Sequence, residues 1–162
     1  MNSQDLNLYE KKIFVSENDT LNYRILEPLN YDSTKQYPVH LFLHGAGERG
    51  NDNVSQLVHG SKLFLKKESR EKYNSWVIFP QAPKHDWWGY KDPYKLNYNV
   101  KESKAMSLVV KLMDNFSKRK DVNQNKIYVS GLSMGGMGTF VILNLRPELF
   151  AAATPILWRR RP

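Results

Sequence analysis

The sequence predicts an α/β fold: a mainly parallel sheet with flanking helices and an antiparallel hairpin at the N-terminus. Three observations carry that expectation. Short apolar runs bounded by Gly, Pro and polar clusters read as strands, segments with helical spacing lie between them, and an alternating stretch near the start is closed by a turn. Strand, helix and strand in succession favour parallel neighbours wound right-handedly.

Residues 12–27 form the predicted hairpin. Lys-Ile-Phe-Val-Ser leads into a turn at residues 17–20, Glu-Asn-Asp-Thr, and Leu21, Tyr23 and Ile25 alternate on the return. Residues 37–43 are apolar without clean alternation, as in a strand covered on both faces. Residues 54–67 show helical spacing at Leu57, Val58, Leu63, Phe64 and Leu65, interrupted by Gly60, which puts His59 on a helix. Residues 76–80 read as a buried strand ended by proline.

Over residues 101–118, Ala105, Leu108, Val109, Leu112, Met113 and Phe116 recur at three and four, the amphipathic helix pattern. Residues 121–125 read as a polar connection, 126–130 as a strand, and 134–144 as an apolar helix that stops near Arg146 and Pro147. Residues 151–156 open a further strand. Residues 1–156 therefore read as one domain, with 157–162 as an aberrant basic tail.

Bulk properties exclude several classes. A 162-residue chain with 41% hydrophobic and 25% charged residues is in the single-domain globular range. The longest apolar runs fall far short of the 18 or so residues a membrane-spanning helix needs. The first residues carry neither a basic nor an apolar signal region, so a cytoplasmic location is expected. With no cysteine, disulfides and thiolate metal sites are excluded. The net charge of +8 is not gathered into a basic stripe, and three of the charges are Arg159, Arg160 and Arg161, so no nucleic-acid partner is expected.

Chemistry concentrates in two glycine-rich turns. Gly131-Leu132-Ser133-Met134-Gly135 is a G-x-S-x-G between a predicted strand and a predicted helix, the context in which this pattern presents a nucleophilic serine. The glycines let strand and helix approach closely, Ser133 is the candidate nucleophile, and the N–H of Met134 at the helix start is a candidate oxyanion donor. The second turn, residues 44–50, is His-Gly-Ala-Gly-Glu-Arg-Gly directly after the strand that ends at Leu43. There Ala46 is the candidate second N–H donor, supported by His44, Gly45 and Gly47, with His44 as a loop-orienting hydrogen-bonder. Glu48 and Arg49 either pair with each other or face a substrate. Trp87 and Trp88, in His-Asp-Trp-Trp-Gly-Tyr, either line a substrate pocket or pack their loop against the sheet. His85 and Asp86 lack a third ligand at metal spacing, so no metal is expected, and His40 and His59 read as structural.

Together, residues 44–50, Pro80-Gln-Ala-Pro83, Lys126-Ile-Tyr-Val-Ser-Gly-Leu-Ser-Met-Gly-Gly and Phe150-Ala-Ala-Ala resemble the α/β-hydrolase superfamily. The resemblance is to its phospholipase/carboxylesterase and polyhydroxybutyrate-depolymerase or feruloyl-esterase-like branch, whose members are also labelled predicted peptidases. It implies the α/β-hydrolase fold, here its N-terminal part, and hydrolysis of small-molecule carboxylic esters through an acyl-serine without a cofactor. A peptidase or a non-catalytic binding module of the same fold is the alternative.

In this fold the acid and histidine of the triad follow the serine, yet after Ser133 the sequence holds one acid, Glu148, and no histidine. The chain is accordingly expected to be truncated and inactive. Only five arginines precede residue 159. Relatives of this kind tend to continue after Pro-Ile with Cys-Gly-Gly-Gly-Asp, and one choice of codons for residues 157–162 reads that way when shifted by one base, so a frameshift after Ile156 is expected. A sheet that ends early leaves an apolar edge, through which self-association is expected.

Overall fold

The computed structural model describes residues 5–90 and 101–156; the tail at 157–162 lies outside them. A 3-10 turn at Leu6–Leu8 leads into β1 (Tyr9–Ser16) and β2 (Asp19–Leu26), an antiparallel pair joined through Glu17 at φ 57°. β3 (Tyr37–Leu43) follows, then 3-10 turns at Ala46–Glu48 and Ser55–Leu57, α1 (Ser61–Leu65) and α2 (Lys67–Lys72). The remainder is β4 (Trp76–Pro80), α3 (Lys104–Ser117), β5 (Val122–Leu132), α4 (Met134–Leu145) and β6 (Ala152–Ile156).

Among the described residues the strands form one sheet in the order β1-β2-β4-β3-β5-β6. β2 runs antiparallel to β4, whereas β4, β3, β5 and β6 are mutually parallel. β3 is central because both its neighbours are parallel strands, which explains its unbroken apolar run. Its residues Val39, Leu41 and Leu43 turn to the face covered by α3 and α4, where Met106, Val109, Met113 and Ile142 complete the core. Phe42 turns to the other face, against Val77, Phe79 and Leu65 of α1.

α3 forms where the three-and-four spacing predicts it, and Ser103 caps it by accepting from the Met106 N–H at 3.2 Å. Asp86 reaches across from the preceding loop to accept from the Ala105 N–H at 2.7 Å. The start of α3 is therefore fixed by its own cap and by the segment that carries the tryptophans.

Three expectations are corrected. The hairpin begins at Tyr9, because Tyr9 pairs with Leu26 at the far end of β2. The polar stretch 121–125 is not a connection: Val122 pairs with Tyr37 and already belongs to β5, since parallel pairing with β3 draws polar residues into the strand. The segment 54–67 is not one helix. Gly60 at φ 82° interrupts it, with a space that Phe42 Cζ would share with any Cβ at 2.6 Å, so α1 starts only at Ser61 and His59 sits in the bend before it.

β6 pairs with β5 on one side and has no second neighbour among the described residues. Ile156 on this strand and Met137 and Phe140 on α4 are exposed. Among the described residues no helix is long and apolar enough to cross a membrane, and no group of three or more His, Asp or Glu side chains could hold a metal ion.

Candidate active site

Ser133 stands between β5 and α4 with φ 55° and ψ −111°, a conformation that an L-residue adopts only under constraint. The constraint is steric. A Cβ on Gly131 would collide with the backbone of Gly135, and one on Gly135 would collide with the carbonyl of Leu43 at the end of β3. Strand, turn and helix are therefore pressed together at backbone distance, which only glycine permits. The Ser133 N–H donates to Ile156 O at 2.8 Å, tying the turn to the end of β6. Its side chain makes no cap hydrogen bond to α4, and the residue is exposed. Met134 begins α4, so its N–H has no partner within the helix.

The loop after β3 lies against this turn. The position where Gly45 would carry a Cβ is 3.8 Å from Ser133 Cβ and 3.5 Å from Leu132 O. Ala46, exposed, starts the next 3-10 turn, and its carbonyl accepts from Arg49 Nε at 2.9 Å. Gly47 has open space around it.

His44 is fully buried beneath the loop. The Ala82 N–H donates to His44 Nε2 at 3.0 Å, so that nitrogen is unprotonated, and Nδ1–H donates to Gly45 O at 2.6 Å. Burial pushes the imidazole down to about 4, which keeps it neutral at physiological pH. With both ring nitrogens engaged, His44 orients the loop. His40, also pushed down to about 4 by burial, is paired with Ser130 Oγ at 2.7 Å within the sheet.

The two tryptophans separate. Trp88 is 1% exposed, packs edge-on to His44 at 5.0 Å, and donates Nε1–H to His44 O at 3.1 Å. Gly138 of α4 packs on it so closely that a Cβ would collide with Trp88 Cβ. Trp88 is thus a wedge between α4 and the loop, which corrects its candidacy as a pocket residue: burial leaves it no surface for a ligand. Trp87 is half-buried, with Nε1–H donating to Tyr90 O at 2.6 Å.

Glu48 and Arg49 do not pair with each other. Glu48 lies 3.6 Å from His59 Nε2, and its Oε2 lies 2.8 Å from the position of the Gly45 Cβ. Glu148 sits in the turn after α4, whose chain returns through the Ala151 N–H to Ile127 O at the opposite edge of the sheet from Ser133.

Gln81 was not among the candidates, yet it holds the loop. Its Nε2 donates to Glu48 O at 3.2 Å and Asp52 Oδ1 at 2.7 Å, and its Oε1 accepts from the Asn53 N–H. The signal was its place in Pro-Gln-Ala-Pro, immediately after β4. Asp86, weighed in the sequence only with His85 as a metal ligand, instead accepts from the Ala105 N–H at the start of α3.

A cavity of about 600 Å³ lies elsewhere, between β3, β5 and α2, lined by His40, Phe64, Val77 and Tyr128. It begins at the N-terminal halves of the strands, whereas the serine turn lies beyond their C-terminal ends.

The comparisons with known proteins bear on the fold. A model of the prolyl oligopeptidase family matches residues 94–156. No curated protein matches the sequence significantly. A thermostable esterase of known structure superposes with a TM-score of 0.83 at 30% identity, over 93% of this chain and 41% of the esterase. A ferulic acid esterase from the anaerobic fungus Anaeromyces mucronatus superposes at 0.61 with 18% identity, over 89% of this chain and 56% of its own. An acetyl xylan esterase from Aspergillus awamori gives 0.59 at 22% identity, over 82% and 45%. This chain thus spans about half the length of these structures or less. Its sheet order and its likeness to the thermostable esterase show that this chain has the α/β-hydrolase fold.

Proposed function

We propose that this chain carries the acyl-transfer half of a serine esterase site, with Ser133 as nucleophile toward a carboxylic ester. The observation that carries the reading is the constrained backbone of Ser133, which holds an uncommitted, exposed hydroxyl at a helix N-terminus. In the proposed reaction Oγ attacks the ester carbonyl, its proton passes to a base, and the alcohol departs to leave an acyl-serine that water then cleaves. The N–H groups of Met134 and Ala46 receive the oxyanion; removal of one such donor in other enzymes costs about 100-fold to 1,000-fold in rate. The buried wedge of His44 and Trp88 keeps Gly45 beside Ser133.

The residues after Ser133 include no histidine, and His40 and His44 are held neutral in the sheet and under the loop. Turnover by the chain itself is therefore expected to be slow, because an unassisted serine is a weak nucleophile. The match to a family named for peptidases makes amides the second substrate class to test. Residues 1–156 are proposed to act as one domain, whose open β6 edge favours association of two copies.

A fluorophosphonate probe, applied to the chain and to Ser133→Ala alongside hydrolysis of a short aryl ester, tests the assignment. Labelling that disappears in the variant supports Ser133 as the nucleophile. Equal labelling of both chains would refute it.

A further inference from the structure

The serine turn has an acidic neighbour that the proposed chemistry does not use. Glu48 folds back over the loop, so that Oε2 is 2.8 Å and Ser133 Cβ 3.8 Å from one point, the place of the missing Gly45 Cβ. Any side chain there would displace the carboxylate, so Gly45 leaves room for Glu48 beside the nucleophile.

The Glu48 side chain is only 13% exposed, yet it is short of donors. Its one ion partner, His59 at 3.6 Å, lies beyond hydrogen-bond distance and is itself 56% exposed. Among the described residues the buried side-chain atoms without a hydrogen-bond partner are Gln56 Oε1 and Trp76 Nε1, so the Glu48 oxygens keep contact with solvent. Arg49, the other cation of the loop, turns its Nε to Ala46 O. A mostly desolvated carboxylate with an open oxygen and no strong donor favours a ligand that supplies one.

We infer that Glu48 is a specificity-determining residue that selects substrates bearing an ammonium group close to the scissile carbonyl and disfavours those bearing a carboxylate. This rests on Ser133 being the nucleophile. The ammonium would bond Oε2 while the carbonyl carbon sits over Oγ.

Boronic acids test this without a catalytic base, because they add reversibly to a serine hydroxyl. Binding of meta-aminomethylphenylboronic acid and meta-carboxyphenylboronic acid is measured by calorimetry on the chain, on Glu48→Gln and on Ser133→Ala. The expected result is a preference of about tenfold for the ammonium compound, the scale of one charge-assisted hydrogen bond, falling to parity in Glu48→Gln. A preference unchanged in Glu48→Gln, or absent from the parent chain, overturns the inference. If neither compound binds in a Ser133-dependent way, the nucleophile assignment falls and this inference with it. Should Glu48→Gln fail to fold, the salt dependence of the parent chain decides. A preference that shrinks between about 0.05 M and 0.5 M salt supports the ionic contact, and one that does not shrink overturns it.

Discussion

The two edges of the sheet are built in opposite ways. At the C-terminal edge, elements meet backbone to backbone: Gly131 on Gly135 and Gly135 on Leu43, with Ser133 held at positive φ between them. At the N-terminal edge, side chains do the joining. Arg119 stacks over Trp76 at 4.5 Å and Phe116 at 4.6 Å while its Nε and Nη2 reach Asp121 at 2.9 and 2.6 Å, and Tyr31 Oη donates to Asp121 at 2.8 Å. Backbone contacts tolerate no added atom, so they can hold a strained residue in place. Side-chain contacts can lose one partner and rearrange. The difference teaches where a site can be placed: the edge with no slack carries Ser133.

The largest expected effect follows from that lack of slack. Gly135→Ala should destabilise the chain by more than about 3 kcal/mol, beyond usual overpacking costs, because its methyl would overlap the Leu43 carbonyl. Gly47→Ala, on the same loop system but with open space, should stay within about 0.5 kcal/mol. Urea denaturation of both variants checks the pair, and equal effects would break the comparison.

Acid comes next. His40 and His44 bind a proton near pH 6.5 when unfolded but only near pH 4 in the native state, so the unfolded chain holds more protons between these values. Stability should be fully present above about pH 6.5 and fall progressively toward pH 4, with a slope of up to about two protons. A series of urea midpoints across that range would show it, and a flat profile would mean that the two imidazoles are not neutral in the sheet.

At the other edge, Asp121→Asn should cost only about 1 kcal/mol, since Arg119 is partly exposed and keeps its stacking on Trp76. Its carboxyl is held below the usual range, chiefly by the Arg119 hydrogen bonds, so that edge weakens only as pH falls through and below the ordinary carboxylate range. The last effect has the opposite sign. Ser133→Gly should raise stability by about 1 kcal/mol by relieving the positive φ, read as a higher melting temperature. A lower one would mean the turn is not strained.

Sequence alone determined the alternation of strands and helices, because periodicity and breakers are local: β3, β4, α3 and α4 lie within a few residues of where spacing puts them. It also marked Ser133 and the loop at residues 44–50, since glycines at those spacings have few other uses. Where it failed, the cause was distant. Val122 to Asn125 became strand because Tyr37 offers a parallel partner 85 residues earlier, and helical spacing around His59 yielded to the ring of Phe42 behind Gly60. Only the tertiary structure decided that Trp88 is a wedge, that Gln81 clamps the loop, and that Glu48 folds over Gly45 and meets His59 rather than Arg49. Each is a contact between residues brought together by the sheet, and no local pattern encodes which neighbour a side chain will meet.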